Sequence, residues 1–197
     1  MLARLHLVRH GEVHNPDHLV YADLPGFALG ERGRREAAAV ARRLTLSPID
    51  VIATSPLQRA IETAAPLAAA LGLEVQRDPR LTDWGLLRRW AGRRWEDLDD
   101  EYPGEVQAYL DHPDDLPFSP EPLAAVAARM TAVVAALGEA WPGGTAAIVS
   151  HQDPVQALRL ALTGRSLGEL RLDKPGHGTV LTFEPGVPWT ETCLLYT

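Results

Sequence analysis

Two histidines in this chain of 197 residues stand where an imidazole can act on a bound anion. His10 follows the apolar run Arg4-Leu5-His6-Leu7-Val8 and directly follows Arg9, while His151 comes after the apolar run 145–149 and Ser150. Both runs read as strands, and an open α/β sheet places its ligand crevice at the carboxyl ends of its strands. Arg59 lies one helical turn beyond Ser55, near the expected start of a helix, an end that itself favours anions. Arginine forks match phosphate oxygens through charge-assisted hydrogen bonds. Arg9, His10, Arg59 and His151 together therefore suit a pocket that binds a tetrahedral dianion and presents an imidazole to it. The chemistry indicated is phosphoryl transfer.

The elements that must position these residues alternate in type. A first strand runs into Arg9-His10-Gly11-Glu12, and a loop with two prolines follows to about residue 26. From Leu29 the pattern turns helical, with Ala37, Val40, Ala41 and Leu44 on one face. A strand over 49–53 ends at Thr54-Ser55-Pro56, where Ser55 is expected to cap a helix, with Pro56 at its first position and Gln58 completing a capping box. Ile61, Ala64, Leu67, Ala68 and Leu71 line that helix, and Gly72 stops it. A short strand over 73–75, a helix over about 121–140, a strand over 145–149 and a strand over 179–183 complete the reading. After His151, Asp153 is expected to cap a helix with Pro154 at N1 and Gln156 at N3. This grammar implies one domain over 1–197, a three-layer α/β/α sandwich around a mostly parallel sheet. Residues 78–118, without a clean period, form a lid-like insertion, and 185–197 form a tail that packs over the sheet edge or supplies a homodimer contact.

Composition removes several alternatives. The chain is 46% hydrophobic and 23% charged, which is globular rather than disordered. Its formal charge of −7 argues against a broad nucleic-acid-binding face. Cys193 is the single cysteine and cannot form an intrachain disulfide, consistent with a reducing, cytoplasmic setting. No run reaches the uninterrupted apolar length that spans a bilayer, so no membrane partner is expected. All the basic residues but Lys174 are arginines, a large supply of oxyanion ligands.

Three blocks in order resemble the histidine phosphatase superfamily, also called phosphoglycerate mutase-like. They are Arg9-His10-Gly11-Glu12, then Ser55-Pro56-Leu57-Gln58-Arg59-Ala60 with Glu62-Thr63, then Val149-Ser150-His151. The stretch 29–37, with Gly33 central, is similar to the family's first helix, and the likeness runs over roughly 4–183. The resemblance implies that His10 attacks phosphorus and becomes a phosphohistidine, with Arg9, Arg59 and His151 on the phosphoryl oxygens. An imidazole nitrogen is nucleophilic only when neutral, so its other nitrogen must donate a hydrogen bond that fixes the tautomer. His151 is expected to be an imidazolium beside the phosphate dianion. Two arginines and an imidazolium would supply the charge a divalent ion otherwise brings, so no metal and no cofactor are expected.

The leaving oxygen needs a proton. In the family that acid is commonly a glutamate in a Leu-x-Glu segment; the matching stretch here is Leu81-Thr82-Asp83, which makes Asp83 the candidate, with Glu12 and Glu96 as alternatives. Asn15 is close enough to the tetrad to touch phosphate or substrate, and His14 and His18 are further candidates for substrate contact. His6 is assigned to packing or hydrogen bonding, and His112 and His177 have no supporting motif. Arg88, Arg89, Arg93 and Arg94, with Trp84, Trp90 and Trp95, either hold the far end of a phosphomonoester or are solvated and buried packing respectively. The expected partner is a small phosphorylated metabolite, and the expected activity is metal-independent phosphomonoester hydrolysis. A cofactor-dependent mutase and a catalytically degenerate phospho-ligand-binding module are the alternatives.

Overall fold

The structure is a computed structural model that describes residues 1–195. Its six strands are β1 (Arg4–Arg9), β2 (Val51–Thr54), β3 (Val75–Arg77), β4 (Thr145–Ser150), β5 (Val180–Glu184) and β6 (Thr190–Leu195). They form one sheet in the order β3-β2-β4-β1-β5-β6. The β3/β2, β2/β4 and β4/β1 pairs are parallel, whereas β5 runs antiparallel to both β1 and β6. The fold is thus α/β with a sheet in which β5 alone is reversed.

Alternation along the strands gives each face of the sheet its own core. Val8, Ile52, Ala147 and Val149 face α1 (Glu31–Leu44) and α2 (Gln58–Leu71), where Val40, Leu44, Ala64 and Leu67 are buried against them. Leu5, Leu7, Val51, Ile148 and Phe183 face the opposite way, against α6 (Leu123–Ala140) and α7 (Gln152–Leu162). Helix α6 is long and apolar enough to cross a membrane by length and composition, but its Val126, Met130, Val133 and Leu137 stripe lies in this second core. The segment 78–118 folds into short pieces, α3 (Leu86–Arg89), α4 (Leu98–Glu101) and α5 (Glu105–Asp111), joined by 3₁₀ turns. Trp84 and Trp90 are fully buried and anchor this segment to the second core, so both tryptophans pack rather than bind.

Two capping expectations fail for one reason. Helix α2 begins at Gln58 with Leu57 at its cap, and α7 begins at Gln152 with His151 at its cap. The Ser55 hydroxyl meets His151 Nε2 at 2.8 Å, while its contact from the Leu57 backbone N–H is 3.3 Å. The Asp153 carboxylate pairs with Lys174 instead of the backbone. Each side chain satisfies a buried polar group from another element, Asp153 in place of its helix end and Ser55 in addition to the Leu57 N–H. The tail expected to pack over the sheet edge instead extends it, because Thr190–Leu195 pair with β5 as a sixth strand. The final aromatic of the tail, Tyr196, lies outside the described residues.

Candidate active site

Register brings the two histidines together. Arg9 pairs with Ser150 across the parallel β1/β4 ladder, so the next residues on each strand are His10 and His151. The His10 backbone N–H donates to the Ser150 carbonyl at 2.9 Å, and the two imidazole rings meet edge to face with centroids 5.1 Å apart. On the other side of β4, Thr54 pairs with Val149 and carries Ser55 and the start of α2 to the same end of the sheet. Arg59, in the first turn of α2, then reaches across with its Nε donating to His151 Nδ1 at 3.2 Å. Its Nη2 donates to the Ala22 carbonyl at 2.7 Å and to Asp83 Oδ2 at 2.9 Å, and the guanidinium stacks on the Tyr21 ring at 4.7 Å.

The loop carrying the tetrad is seated by close backbone contact. A Cβ on Gly33 would run into the carbonyl oxygen of Glu12, so only glycine lets α1 approach this closely. Glu36 Oε2 accepts from the Glu12 backbone N–H at 2.8 Å, and Thr63 Oγ1 accepts from the Gly11 backbone N–H at 3.0 Å. Sequence reasoning missed the role of Glu36, although a carboxylate between Gly33 and Val40 on the buried stripe of α1 was a usable signal.

The tautomer of His10 follows from its partner. Its Nδ1 lies 2.8 Å from the Gly11 carbonyl, which can only accept, so Nδ1 carries the proton and Nε2 carries the lone pair. Complete burial, reinforced by His151, Arg59 and Arg9, pushes the His10 pKa well below the ordinary value, which keeps the ring neutral. The imidazolium expected at His151 concerns the site with a phosphate dianion beside it; the protein's own groups act in the opposite direction. Burial first, then Arg59, Arg129 and Arg9, also lowers its pKa well below the usual value, and its Nδ1 accepts from Arg59. The protein alone therefore holds His151 neutral, with Nε2–H directed to the Ser55 hydroxyl. Only the negative charge of a phosphoryl group could reverse that balance.

Arg9, His10, Asn15 and Asp83 line one cavity of about 460 Å³, with Tyr21, Leu87, Trp95, Tyr109, Asp153 and His177 among its other walls. Arg59 and His151 are buried immediately behind it. Asp83 is 9% exposed, accepts from the Trp84 backbone N–H through Oδ1 and lies 3.6 Å from His151 Nδ1 through Oδ2. Glu12 and Glu96 also line the cavity, but Glu12 pairs with Arg32 and Glu96 with His18 and Arg94. Asn15 exchanges two hydrogen bonds with the backbone of Leu19, so it braces the loop while touching the cavity. His18 lines the cavity beside Glu96.

The insertion's arginines do not line it. Arg88 pairs with Asp23, Arg89 with Glu105, Arg93 with Glu101 and Arg94 with Glu96. Trp95, 41% exposed, is the tryptophan of the segment that faces the cavity. His177, which no motif suggested, stands 5.5 Å from the His10 ring and 2.7 Å from Arg9 Nη2 through its Nε2. Tyr109, Asp153 and Lys174 form a further linked group, with Lys174 Nζ 2.7 Å from the Tyr109 hydroxyl and in an ion pair with Asp153. Among the described residues, no three His, Cys, Asp or Glu side chains are gathered so as to hold a metal ion.

The model of the histidine phosphatase superfamily, branch 1, matches residues 5–192. The uncharacterised protein Rv0525 of Mycobacterium tuberculosis is 44% identical over 174 residues, which cover 83% of this chain and 80% of the relative. Phosphoserine phosphatase 1 of Hydrogenobacter thermophilus is 32% identical over 171 residues, covering 85% and 80% respectively. The structure of mycobacterial glucosyl-3-phosphoglycerate phosphatase Rv2419c superposes with a TM-score of 0.86 at 28% identity, covering 96% of this chain and 97% of that one.

Proposed function

Since this chain belongs to the histidine phosphatase superfamily, branch 1, we propose that it is a phosphomonoester hydrolase acting through a phosphohistidine on His10, on a small phosphorylated metabolite. The observation that carries this reading is the state of His10: Nδ1 is committed to the Gly11 carbonyl, and Nε2 keeps its lone pair beside Arg9 in a cavity of metabolite size. Two phosphatases among the relatives, one for phosphoserine and one for glucosyl-3-phosphoglycerate, support hydrolysis and differ in substrate.

In the first step His10 Nε2 attacks phosphorus, the N–P bond forms and the ester P–O bond breaks. Asp83, which takes up a proton from solvent as it parts from Arg59, delivers that proton to the departing alkoxide, so an alcohol leaves. Arg9, Arg59 and His151 carry the phosphoryl oxygens, and the dianion favours proton uptake by His151. Arg59 must then share its Nη2, now bonded to Asp83, with the incoming phosphoryl group. That exchange releases Asp83 toward the leaving oxygen. In the second step water attacks the phosphohistidine, Asp83 takes the water's proton, and inorganic phosphate and neutral His10 are restored. Asn15 keeps the loop over the substrate in place. The arginines and His151 supply the charge stabilisation without a metal ion.

The test is a panel of phosphomonoesters assayed without added metal and with EDTA, beside an assay of 3-phosphoglycerate conversion to 2-phosphoglycerate with a bisphosphoglycerate primer. Phosphate release that survives EDTA is expected, with kcat/KM for one ester above about 10⁴ M⁻¹s⁻¹. A labelled ester should leave acid-labile, base-stable label on the wild-type chain and none on His10→Ala. Mutase flux far above phosphate release would reassign the activity. Wild-type turnover by His10→Ala would remove the covalent mechanism.

A further inference from the structure

The two arginines at the phosphoryl end of the cavity are held by chemically different partners. Arg59 Nη2 donates to a carboxylate, Asp83, at 2.9 Å. Arg9 donates through Nη1 to the Pro175 carbonyl at 2.9 Å and through Nη2 to His177 Nε2 at 2.7 Å. Both of these acceptors are neutral. A guanidinium has hydrogens to give and no lone pair to receive with, so His177 Nε2 must be unprotonated and its proton must sit on Nδ1.

We propose that His177 is a positioning residue, a neutral acceptor that fixes the guanidinium of Arg9 while leaving its positive charge uncancelled for the phosphoryl group. The inference takes its ligand from the phosphoryl-binding reading above. Pro175 and His177 lie in the loop that leads into β5, and that loop is stitched to the end of β1 along its backbone. Gly178 N–H donates to the Arg9 carbonyl at 3.1 Å, and Arg9 N–H donates to the Thr179 carbonyl at 3.2 Å. Backbone and side chain of Arg9 are thus held by one segment. Among the groups acting on His177 are Arg9, Arg32 and the His10 ring against which it is tilted at 48°. Burial, with the charges of Arg9 and Arg32, holds its pKa down to about 3, in keeping with the neutral tautomer the geometry requires. Its lone pair is committed to Arg9, so His177 does not serve as the proton donor of the reaction. A carboxylate at this position would hold Arg9 as firmly but would offset the charge that attracts the dianion, as Asp83 does for Arg59.

Three variants separate these elements: His177→Gln keeps a neutral acceptor at similar reach, His177→Phe keeps ring volume without an acceptor, and His177→Glu supplies a charged acceptor. The readouts are the dissociation constant of orthovanadate, and kcat and KM for p-nitrophenyl phosphate across pH. His177→Gln is expected to bind within about threefold of wild type, and His177→Phe roughly tenfold more weakly, the loss of one orienting hydrogen bond to a charged group. His177→Glu should bind on the order of 100-fold more weakly than His177→Gln at pH 8, and this ratio should fall toward one as the glutamate is protonated near pH 4. Taking the ratio at each pH cancels the titration of vanadate itself. Equal binding by the Glu and Gln variants at pH 8, or a ratio that ignores pH, would overturn the proposal. The Gln and Glu side chains are nearly the same size, so that pair decides the matter even if the Phe variant fails to fold. Vanadate affinity does not require turnover: the predicted ranking in a protein that hydrolyses no ester would sink the hydrolase reading and leave the role of His177 standing. Turnover with no difference among the variants would do the reverse.

Discussion

Replacing Asp83 with asparagine separates its contact with Arg59 from the proton-donor duty that the proposed mechanism gives the same carboxylate. Asp83 Oδ2 accepts from Arg59 Nη2, and Oδ1 accepts from the Trp84 backbone N–H, both at 2.9 Å. Asparagine keeps the second bond and removes the charge from the first. Two unit charges at that separation interact by about 6 kcal/mol at an effective dielectric of 20, a gross attraction largely offset by desolvation of the buried pair. If Arg59 redirects even a quarter of that gross attraction to a phosphoryl dianion, the gain is about 1.4 kcal/mol, or tenfold in affinity. Asp83→Asn is therefore expected to bind orthovanadate about tenfold more tightly than wild type. Catalysis should move the other way. Loss of the proton donor should slow hydrolysis of an alkyl phosphate by roughly 10²–10⁴-fold. p-Nitrophenolate departs without a proton, so its ester should lose less than about tenfold. Isothermal titration with vanadate and steady-state kinetics on the two esters measure the three quantities. Weaker vanadate binding with equal losses on both esters would refute the reasoning and reduce Asp83 to a structural partner of Arg59.

Arg59→Ala strands the Asp83 carboxylate and the Ala22 carbonyl, so urea denaturation should show a loss of about 3–5 kcal/mol and kinetics a further 2–4 kcal/mol in transition-state stabilisation; unaltered kcat/KM would put Arg59 outside the chemistry. His6, 3% exposed and with Nδ1 held by Thr182 Oγ1 at 2.9 Å, has its pKa lowered to about 4, first by burial and then by Arg4 and Arg43. The unfolded chain then binds more protons between pH 6.5 and 4, so this contribution is intact above 6.5 and lost as the pH falls through 4. Between pH 6.5 and 5 the loss should be about 2 kcal/mol, and urea melts of His6→Gln should lack that slope; a slope equal to wild type would exclude His6 as its source. Gly33→Ala should lower stability by about 1–3 kcal/mol and reduce kcat, because the added methyl meets the Glu12 carbonyl; unchanged thermal melting and kcat would show that the loop gives way freely.

What was legible in the sequence is what local chemistry dictates. His10 and His151 follow apolar runs and Arg59 sits one turn into a helix, so residue types and their places beside strand ends sufficed to single out these candidates, while Asp83 after Leu81-Thr82 rested on the resemblance to the family. Strand and helix periods also sufficed for the layers, since they reflect which side of each element meets water. The tertiary structure decided which strands are neighbours. The insertion of β4 between β2 and β1 makes His10 and His151 adjacent, and reversed β5 brings the loop with His177 back over Arg9. It also decided the side-chain partners. Ser55 and Asp153 carry the residue types of helix caps, yet one turns to His151 and the other to Lys174. The protonation of His151 belongs to the same class, because burial among Arg59, Arg129 and Arg9 sets it rather than any neighbour in the chain. The division is physical: backbone preference and apolar period act over a few residues, whereas desolvation compels a buried polar group to take whichever partner the packed fold brings within reach.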